Sequence, residues 1–233
     1  MDKQLTVLIT RPQPGADAFA AMLPDLKTVI SPTMVIKPVP ADLGAPDVVI
    51  LTSGHAIATV AALDHQPLCY CVGTATTEKA QAAGLLARLG GETAQDTAAR
   101  VLADKPKGSI LYARGRHVSF DMVGALTSGG LLARELVVYD QIAQGLLPQA
   151  LEVLKSGVDV VVPLFSVRSA ALFFKGCPAD AKLRVVAMSP SIAQTVPRQH
   201  ADRLSISPNP DAKSMADTVR KAAFFVKRLE QGQ

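Results

Sequence analysis

Short apolar runs alternate with alanine-rich stretches along the whole chain. Runs of Val, Ile and Leu bounded by small polar residues are typical of buried strands, and the stretches between them carry apolar residues at helical spacing. The pattern therefore predicts βα units that feed mostly parallel sheets. The predicted strands are Leu5–Thr10, Val48–Leu51, Leu68–Val72, Ile110–Ala113, Leu136–Tyr139, Val158–Val162, Arg184–Met188 and Arg203–Ile206.

Several of these units occur twice. The strand that runs from Asp47 to Ser53 parallels the one from Asp159 to Ser166, because each begins with aspartate, ends in serine and turns into a helix. Such self-similarity indicates a duplicated architecture. Two Thr/Ser-x-x-Asp-Thr segments form another pair, and each predicts a capping box that opens a surface helix: Thr93 to Thr97 and Ser214 to Thr218.

The order of the units predicts how the two copies are connected. A strand followed by an arginine stands first in the chain, at Arg11, but last in the copy that ends at Arg114. The N-terminal unit must therefore complete a domain built mainly from the C-terminal set. We predict an α/β protein of two similar parallel-sheet domains of the Rossmann or flavodoxin kind, the second inserted in the first. Domain 1 comprises residues 1–36 and 142–233, and domain 2 comprises residues 37–141.

Two extended segments cross between the predicted domains. They are Met34–Val39 and Leu136–Ile142, and both are rich in β-branched residues. We expect them to pair as a two-stranded β linker that permits hinge motion, with a cleft beside it.

In parallel α/β sheets, ligands bind beyond the carboxyl ends of the strands, where helix N-termini offer free backbone N–H groups. Small, hydroxyl-bearing or basic residues recur at these places in both copies. The alternative is that Ser53, Thr76, Ser166 and Ser191 are ordinary helix N-caps that need no ligand. The candidate substrate-binding residues are Thr10, Arg11, Ser53, Gly73, Thr76, Arg114, Gly115, Ser166 and Ser191.

Composition narrows the class of ligand. The chain has 233 residues, of which 48% are hydrophobic and 19% charged, so a folded protein with a sizeable core is expected. Its net charge of +4 favours an anionic partner. Because the basic residues are dispersed and aromatic residues make up only 4%, a small anionic molecule is a better candidate than nucleic acid.

No apolar run is long enough to span a bilayer, and no signal peptide is evident, so we expect a cytoplasmic protein without a membrane partner.

The usual signatures of metal and cofactor chemistry are missing. The sequence contains no G-x-G-x-x-G after its first strand, no P-loop, no H-E-x-x-H and no G-x-S-x-G. Its four histidines are scattered, although His55 and His117 remain candidates for anion contacts. Cys69 and Cys71 have the spacing of a metal pair, but alternation on a strand explains it equally and no ligand cluster accompanies them. We therefore predict reduced thiols and no metal.

An ordered set of short motifs carries a family resemblance. The set is Thr10-Arg11-Pro12, Thr52-Ser53-x-x-Ala56, Val72-Gly73-x-x-Thr76, Val138-Tyr139, Phe165-Ser166-x-x-Ser169, Ser189-Pro190-Ser191 and Pro208-x-Pro210. With the interrupted domain plan, it resembles the uroporphyrinogen-III synthase family over nearly the whole chain.

The resemblance implies a lyase of porphyrin and heme biosynthesis. In the family reaction, linear hydroxymethylbilane loses water and its terminal pyrrole attacks through a spiro intermediate, so that ring D is inverted in the closed uroporphyrinogen III. The reaction takes place in the interdomain cleft, and no metal or organic cofactor takes part. Because unassisted closure gives the uninverted isomer, the enzyme must control the conformation of a polycarboxylate.

The resemblance also nominates a catalytic residue. Tyr139 matches a tyrosine that the family places in the interdomain strand, where its phenol can donate a hydrogen bond to the departing hydroxyl. The alternative is a tyrosine that packs at a strand end. The sequence departs from the family at Ser189, where glycine is common, at Phe165, where threonine is common, and at Gly54-His55.

A non-catalytic, hinged binding or regulatory module for an anionic small molecule remains the alternative function. Such a relative would keep the same turns and caps while lacking the reaction. A monomer is expected, and transient contact with the preceding enzyme of the pathway is compatible with the sequence.

Overall fold

The computed structural model describes residues 5–230, with side chains as far as residue 225. The chain divides into two compact units. Unit 1 comprises the residues up to Val35 together with those from Ile142 onwards, and unit 2 comprises Ile36–Gln141. Each unit contains a parallel-dominated sheet covered by helices, so the predicted α/β class is confirmed.

The strands are β1 (Thr6–Ile9), β2 (Lys27–Ile30), β3 (Met34–Pro38), β4 (Val48–Leu51), β5 (Leu68–Val72), β6 (Ala87–Gly91), β7 (Ile110–Gly115), β8 (Ala133–Ala143), β9 (Val160–Leu164), β10 (Leu183–Ala187) and β11 (Leu204–Ile206). The α-helices are α1 (Gly15–Ala21), α2 (Ile57–Ala61), α3 (Thr74–Ala82), α4 (Ala94–Asp104), α5 (Met122–Ser128), α6 (Pro148–Lys155), α7 (Val167–Gly176), α8 (Pro190–Ala193) and α9 (Ala212–Glu230). Short 3₁₀ helices occupy Gly54–Ala56 and Arg198–Arg203. None of the described helices is long and apolar enough to cross a membrane.

The five-stranded sheet of unit 1 has the order β11-β10-β9-β1-β2, and all four of its pairings are parallel. The six-stranded sheet has the order β3-β8-β7-β4-β5-β6, with parallel pairing from β8 to β6. In both sheets the chain supplies a central strand, crosses through a helix and adds the next parallel strand. The carboxyl ends of neighbouring strands therefore share one edge of each sheet.

Central strands of both sheets are buried along their whole length. Every residue of β1, β4 and β9 is buried, as expected for parallel strands with helices on both faces. Successive side chains point to opposite faces, so each sheet has two apolar clusters. In unit 1, Leu8 and Val162 belong to one cluster, whereas Val7 and Ile9 belong to the other.

The strands that the sequence analysis missed are β2 and β6, which lie at sheet edges. β2 begins with an exposed lysine, and β6 contains an arginine and two glycines. Neither has a continuous apolar run, because an edge strand needs less burial and tolerates residues of low strand propensity.

The two segments that connect the units are strands β3 and β8. They are neighbours in the six-stranded sheet, so the predicted pairing is confirmed. β8 is much longer than predicted, with 11 residues. It also pairs along β7, from Ile110 opposite Ala133 to Gly115 opposite Tyr139, and therefore belongs to the sheet rather than to a separate two-stranded ribbon.

Two similar sequence patterns open helices in different ways. Thr93 caps α4, and its hydroxyl and the Asp96 carboxylate form the predicted capping box. The corresponding prediction for Ser214 is wrong, because α9 begins earlier. The backbone N–H of Ser214 donates to the Asp211 carboxylate at 2.7 Å, which places Asp211 at the cap and Ser214 inside the first turn.

Candidate active site

The carboxyl edge of the unit 2 sheet gathers several of the candidate residues. Tyr139 lies in β8, Gly115 ends β7, Ser53 follows β4, and Gly73 follows β5. These four strands are consecutive neighbours in the sheet. The sequence-based nominations from four separate parts of unit 2 therefore meet at one edge.

Tyr139 packs against a glycine. A Cβ added to Gly115 would lie 2.5 Å from two ring carbons of Tyr139 and 2.8 Å from the phenolic oxygen, so only glycine leaves room for this ring. The His55 ring also packs against the Tyr139 ring, with ring centroids 5.5 Å apart and an angle of 60° between the ring planes. Tyr139 is 5% exposed, and burial raises its pKa, opposed by hydrogen bonds from the Ser53 side chain and the Gly115 backbone. The phenol is therefore protonated at neutral pH.

Ser53 connects a helix start to this phenol. It is the N-cap of the 3₁₀ helix at Gly54–Ala56, and its hydroxyl accepts a hydrogen bond from the His55 backbone N–H at 3.3 Å. The Ser53 side chain also acts to lower the pKa of Tyr139, against the larger effect of burial. The N-cap interpretation of Ser53 is confirmed, but capping leaves the hydroxyl free to act on the tyrosine as well.

A second tyrosine occupies the other face of the same sheet. The Tyr112 hydroxyl lies 3.1 Å from the Thr52 hydroxyl. Tyr112 belongs to the apolar cluster of Val48 and Ile50, whereas Tyr139 belongs to that of Val49 and Leu51. Because side chains alternate along an extended segment, Thr52 and Ser53 reach tyrosines on opposite faces.

Arg114 has an acidic partner within unit 2. Its guanidinium donates to the Glu135 carboxylate at 2.5 Å and to the carbonyl oxygens of Gly115 and Arg116. The hydrogen bond to Glu135 raises the pKa of Arg114. The charge of Arg114 is therefore already paired before any ligand binds.

Gly73 and Thr76 have different structural roles. Gly73 has φ of +77° and precedes α3, a conformation that side chains rarely adopt. Thr76 lies inside α3, so its interpretation as an N-cap is wrong. The threonine that hydrogen-bonds to the Gly73 carbonyl is Thr77, at 3.0 Å.

The carboxyl edge of the unit 1 sheet carries the remaining candidates. Arg11, Ser166 and Ser191 follow the neighbouring strands β1, β9 and β10. Thr10 is 1% exposed, and its carbonyl accepts hydrogen bonds from the backbone and hydroxyl of Thr33. Thr10 is thus part of the interior rather than of an accessible rim.

The two candidate serines at this edge differ in their positions relative to the helices that follow them. Ser166 caps α7, and its hydroxyl accepts from the Ser169 backbone at 3.1 Å, which confirms its N-cap interpretation. The N-cap interpretation of Ser191 is wrong, because Ser189 caps α8. Ser191 lies two residues further on, with its hydroxyl 2.9 Å from that of Ser189. A serine directly before a proline at the first helical position was the sequence signal for this cap.

Arg11 differs from Arg114 in its surroundings. Its guanidinium carbon lies 4.3 Å from the centroid of the Phe165 ring. Burial lowers its pKa, and its side chain makes no hydrogen bond or ion pair with any residue of the described chain. At the edge of the sheet it is therefore a charged group for which residues 5–225 supply no counterion.

Comparison with known proteins decides the family. The chain matches the family model described as uroporphyrinogen-III synthase HemD over residues 17–217. The chain belongs to the uroporphyrinogen-III synthase family. Members of this family are lyases of tetrapyrrole biosynthesis, so the enzyme class expected from the resemblance is confirmed.

Solved structures agree with the fold of this family. The uroporphyrinogen-III synthetase of Helicobacter pylori 26695 matches 93% of this chain and 99% of its own, with a TM-score of 0.66 and 16% identity. A mutant uroporphyrinogen III synthase of the extremely thermophilic bacterium Thermus thermophilus matches 95% of this chain and 99% of its own, with a TM-score of 0.56 and 16% identity. No sequence among the curated proteins matches the chain.

Within the family frame, sequence reasoning missed Glu135 altogether, and it named Gly115 and Phe165 without predicting their contacts with Tyr139 and Arg11. Glu135 neutralises Arg114, Gly115 makes room for Tyr139, and Phe165 stacks on Arg11. Each is a contact between strands or loops that are distant in sequence. In the sequence, the order of the strands was the one feature that indicated these contacts.

The cysteines take no part in this edge. Cys69 and Cys71 are fully buried free thiols on one face of β5, and burial raises their pKa values to about 12 and about 11. In the described part of the chain, no group of three or more His, Cys, Asp or Glu side chains is placed to hold a metal ion.

Proposed function

We propose that this chain closes hydroxymethylbilane to uroporphyrinogen III, with loss of water and inversion of ring D, and that Tyr139 assists departure of the hydroxyl. The substrate is a linear tetrapyrrole with many carboxylates. Family membership supports the reaction, and the contact of the Tyr139 phenol with Ser53 and Gly115 supports the residue. A cytoplasmic monomer belongs to the same proposal.

The surroundings of Tyr139 favour its action as a donor. Burial keeps the phenolic proton of Tyr139 in place at neutral pH, and the Ser53 side chain and Gly115 backbone oppose that effect only in part, so the pKa stays raised and a proton is available to donate. The His55 backbone N–H donates to Ser53 in turn.

The departing hydroxyl of hydroxymethylbilane is the proposed acceptor. As its carbon–oxygen bond breaks, the oxygen gains negative charge and takes up a proton, so that water leaves and the electron-rich pyrrole is left as a cation. A donor aimed at that oxygen stabilises this transition state more than the ground state. Because burial raises the pKa of Tyr139, the donor form persists across neutral pH.

The remaining task is to hold the chain so that the terminal pyrrole attacks its substituted position. We propose that carboxylates of the substrate bind to Arg11 and to the Ser166 and Ser191 hydroxyls of unit 1, and to backbone N–H groups near Gly73, Thr76 and Gly115 of unit 2. Positioning of this kind supplies a large part of an enzymatic rate enhancement. Thr10 and Arg114 contribute through the shape of the edge, since one is buried and the other is paired with Glu135.

The decisive experiment supplies purified protein with freshly prepared hydroxymethylbilane and separates the type I and type III isomers of the product. We expect the type III isomer to dominate, whereas incubation without protein gives the type I isomer. Type I product alone, together with tight binding of the substrate, would favour the non-catalytic binding module instead.

A further inference from the structure

The side chain of Arg11 lies in a slot made by two residues of unit 1. One wall is the Phe165 ring, 4.3 Å from the guanidinium carbon. The other contact is Gly15, the first residue of α1, where an added Cβ would lie 2.8 Å from Nε, 2.9 Å from Nη2 and 3.0 Å from Cζ of Arg11. Any side chain at Gly15 would therefore displace the guanidinium.

The aromatic wall is itself anchored in the core. The Phe165 ring meets the ring of Phe19 edge to face, with centroids 4.8 Å apart at 78°. Phe19 is 1% exposed and belongs to the apolar cluster between the sheet and α1. Because its neighbour is fixed in this way, Phe165 offers Arg11 a rigid surface rather than a mobile one.

The slot covers the apolar surface of the guanidinium and leaves its polar edge available. Among the residues that the structure describes, no carboxylate, carbonyl or hydroxyl accepts a hydrogen bond from the Arg11 side chain. A planar guanidinium carries five N–H donors in a fork that matches a carboxylate. An arginine that is stacked on a ring, with its N–H donors not yet hydrogen-bonded, is pre-organised, so it loses little rotamer freedom when an anion binds.

We infer that Phe165, together with Gly15, is a positioning residue that orients the Arg11 fork toward a carboxylate of the substrate. The inference rests on the proposed function. Phe165 acts through the arginine and does not itself need to touch the substrate. Stacking of arginine on an aromatic face contributes most where water is partly excluded, as it is around Arg11.

The test compares the steady-state kinetics of wild type, Phe165→Leu, Arg11→Gln and the double variant with hydroxymethylbilane. Phe165→Leu is expected to raise KM about three- to tenfold, the loss of one stacking contact, while kcat changes little. In the Arg11→Gln background the same substitution should leave KM unchanged, because the fork that it orients is gone. The conservative variant Phe165→Tyr keeps the ring and should restore a KM close to that of wild type.

Two further variants separate positioning from packing. Gly15→Ala leaves the contact between Phe165 and Phe19 intact but fills the space beside Arg11, and it should raise KM as Phe165→Leu does. Phe224→Leu removes a ring that is 62% exposed on α9 and should leave KM unchanged. If Phe165→Leu does not fold, Gly15→Ala and its double variant with Arg11→Gln carry the test alone.

The outcomes distinguish this inference from the proposed function. Suppose that the wild type forms the type III isomer. If Phe165→Leu and Gly15→Ala then leave KM unchanged, or if each still raises KM further in the Arg11→Gln background, the positioning role is wrong and the proposed function stands. If the wild type forms only the type I isomer, both are overturned. A ring-current shift of the Arg11 Nε–H resonance, lost in Phe165→Leu and kept in Phe165→Tyr, would report the slot without any substrate.

Discussion

The carboxyl edges of the two sheets are built from matching sequence units, but they treat their polar groups differently. In unit 2, Arg114 is paired with Glu135, and the hydroxyl of Tyr139 meets Ser53. In unit 1, Arg11 lies on the Phe165 ring without a polar partner in the described chain. One edge therefore holds a paired arginine and a buried phenol, and the other holds a cation that no described residue neutralises.

Matching positions in the two units therefore do not have the same surroundings. Arg11 and Arg114 both stand at the end of a strand and before a turn, yet the neighbour of Arg114 is an acidic residue on β8, whereas the neighbour of Arg11 is an aromatic residue after β9. A counterion reduces the attraction of an arginine for a ligand, and an aromatic face does not. Under the proposed function, Tyr139 of unit 2 acts on the leaving group and Arg11 of unit 1 binds a carboxylate.

The largest expected effect comes from the phenol of unit 2. Tyr139→Phe should lower kcat about 100-fold, within the usual contribution of a positioned proton donor, without unfolding the chain. Because burial raises the pKa of Tyr139, wild-type kcat should not fall through loss of this proton until the pH exceeds the usual tyrosine pKa of about 10.

The matched control is Tyr112→Phe, which removes a phenolic hydroxyl from the other face of the same sheet. It should change kcat little and lower the free energy of unfolding by about 1 kcal/mol through loss of the hydrogen bond to Thr52. Equal kinetic effects of the two substitutions would show that Tyr139 has no special role.

The next effect tests the glycine that makes room for the phenol. Gly115→Ala should lower kcat about tenfold or more, because a Cβ at this position would push the Tyr139 ring out of place. Gly145→Ala is a suitable control, since nothing lies within 4 Å of its added Cβ and its φ is not positive. Kinetics and thermal unfolding of both variants, measured side by side, check the prediction. Normal turnover by a stably folded Gly115→Ala would contradict it.

A smaller effect separates the two arginines. Arg11→Gln should raise KM about tenfold, the loss of one charge-assisted hydrogen bond, and should make KM less sensitive to salt. Arg114→Gln should raise KM much less, because Glu135 already neutralises that charge. Measurement of KM at low and high ionic strength decides between them. The same KM increase for both variants would mean that the pairing with Glu135 is broken when the substrate binds.

The smallest effect compares the two helix starts. Thr93→Ala should lower the free energy of unfolding by about 1 kcal/mol, because it removes the cap of α4. Ser214→Ala should lower the free energy of unfolding by less than that, because Asp211 caps α9 and Ser214 is a partly exposed residue inside the first turn. Chemical denaturation monitored by circular dichroism measures both. A larger loss for Ser214→Ala would restore it as the cap.

The fold class, most of the central strands and the family could all be read from the amino-acid sequence. Parallel strands inside a sheet need continuous apolar runs, so β4, which is fully buried, and β5, which is buried in its middle, have the limits that the sequence predicted. The positions of Ser53 and Gly115 after their strands also predicted that these two would share one edge, whereas Tyr139 was nominated by the family resemblance. The edge strands β2 and β6 were missed because partial burial places weak demands on residue type.

Which groups at those edges are already paired follows from contacts between distant parts of the chain. The partner of Arg114 is 21 residues away, and the aromatic wall beside Arg11 lies more than 150 residues along the chain. No local pattern encodes such distances, because they depend on how strands align and how side chains alternate between faces. The same limit applies to the caps, where Ser189 and Asp211 replaced Ser191 and Ser214 through shifts of two or three residues in where a helix begins.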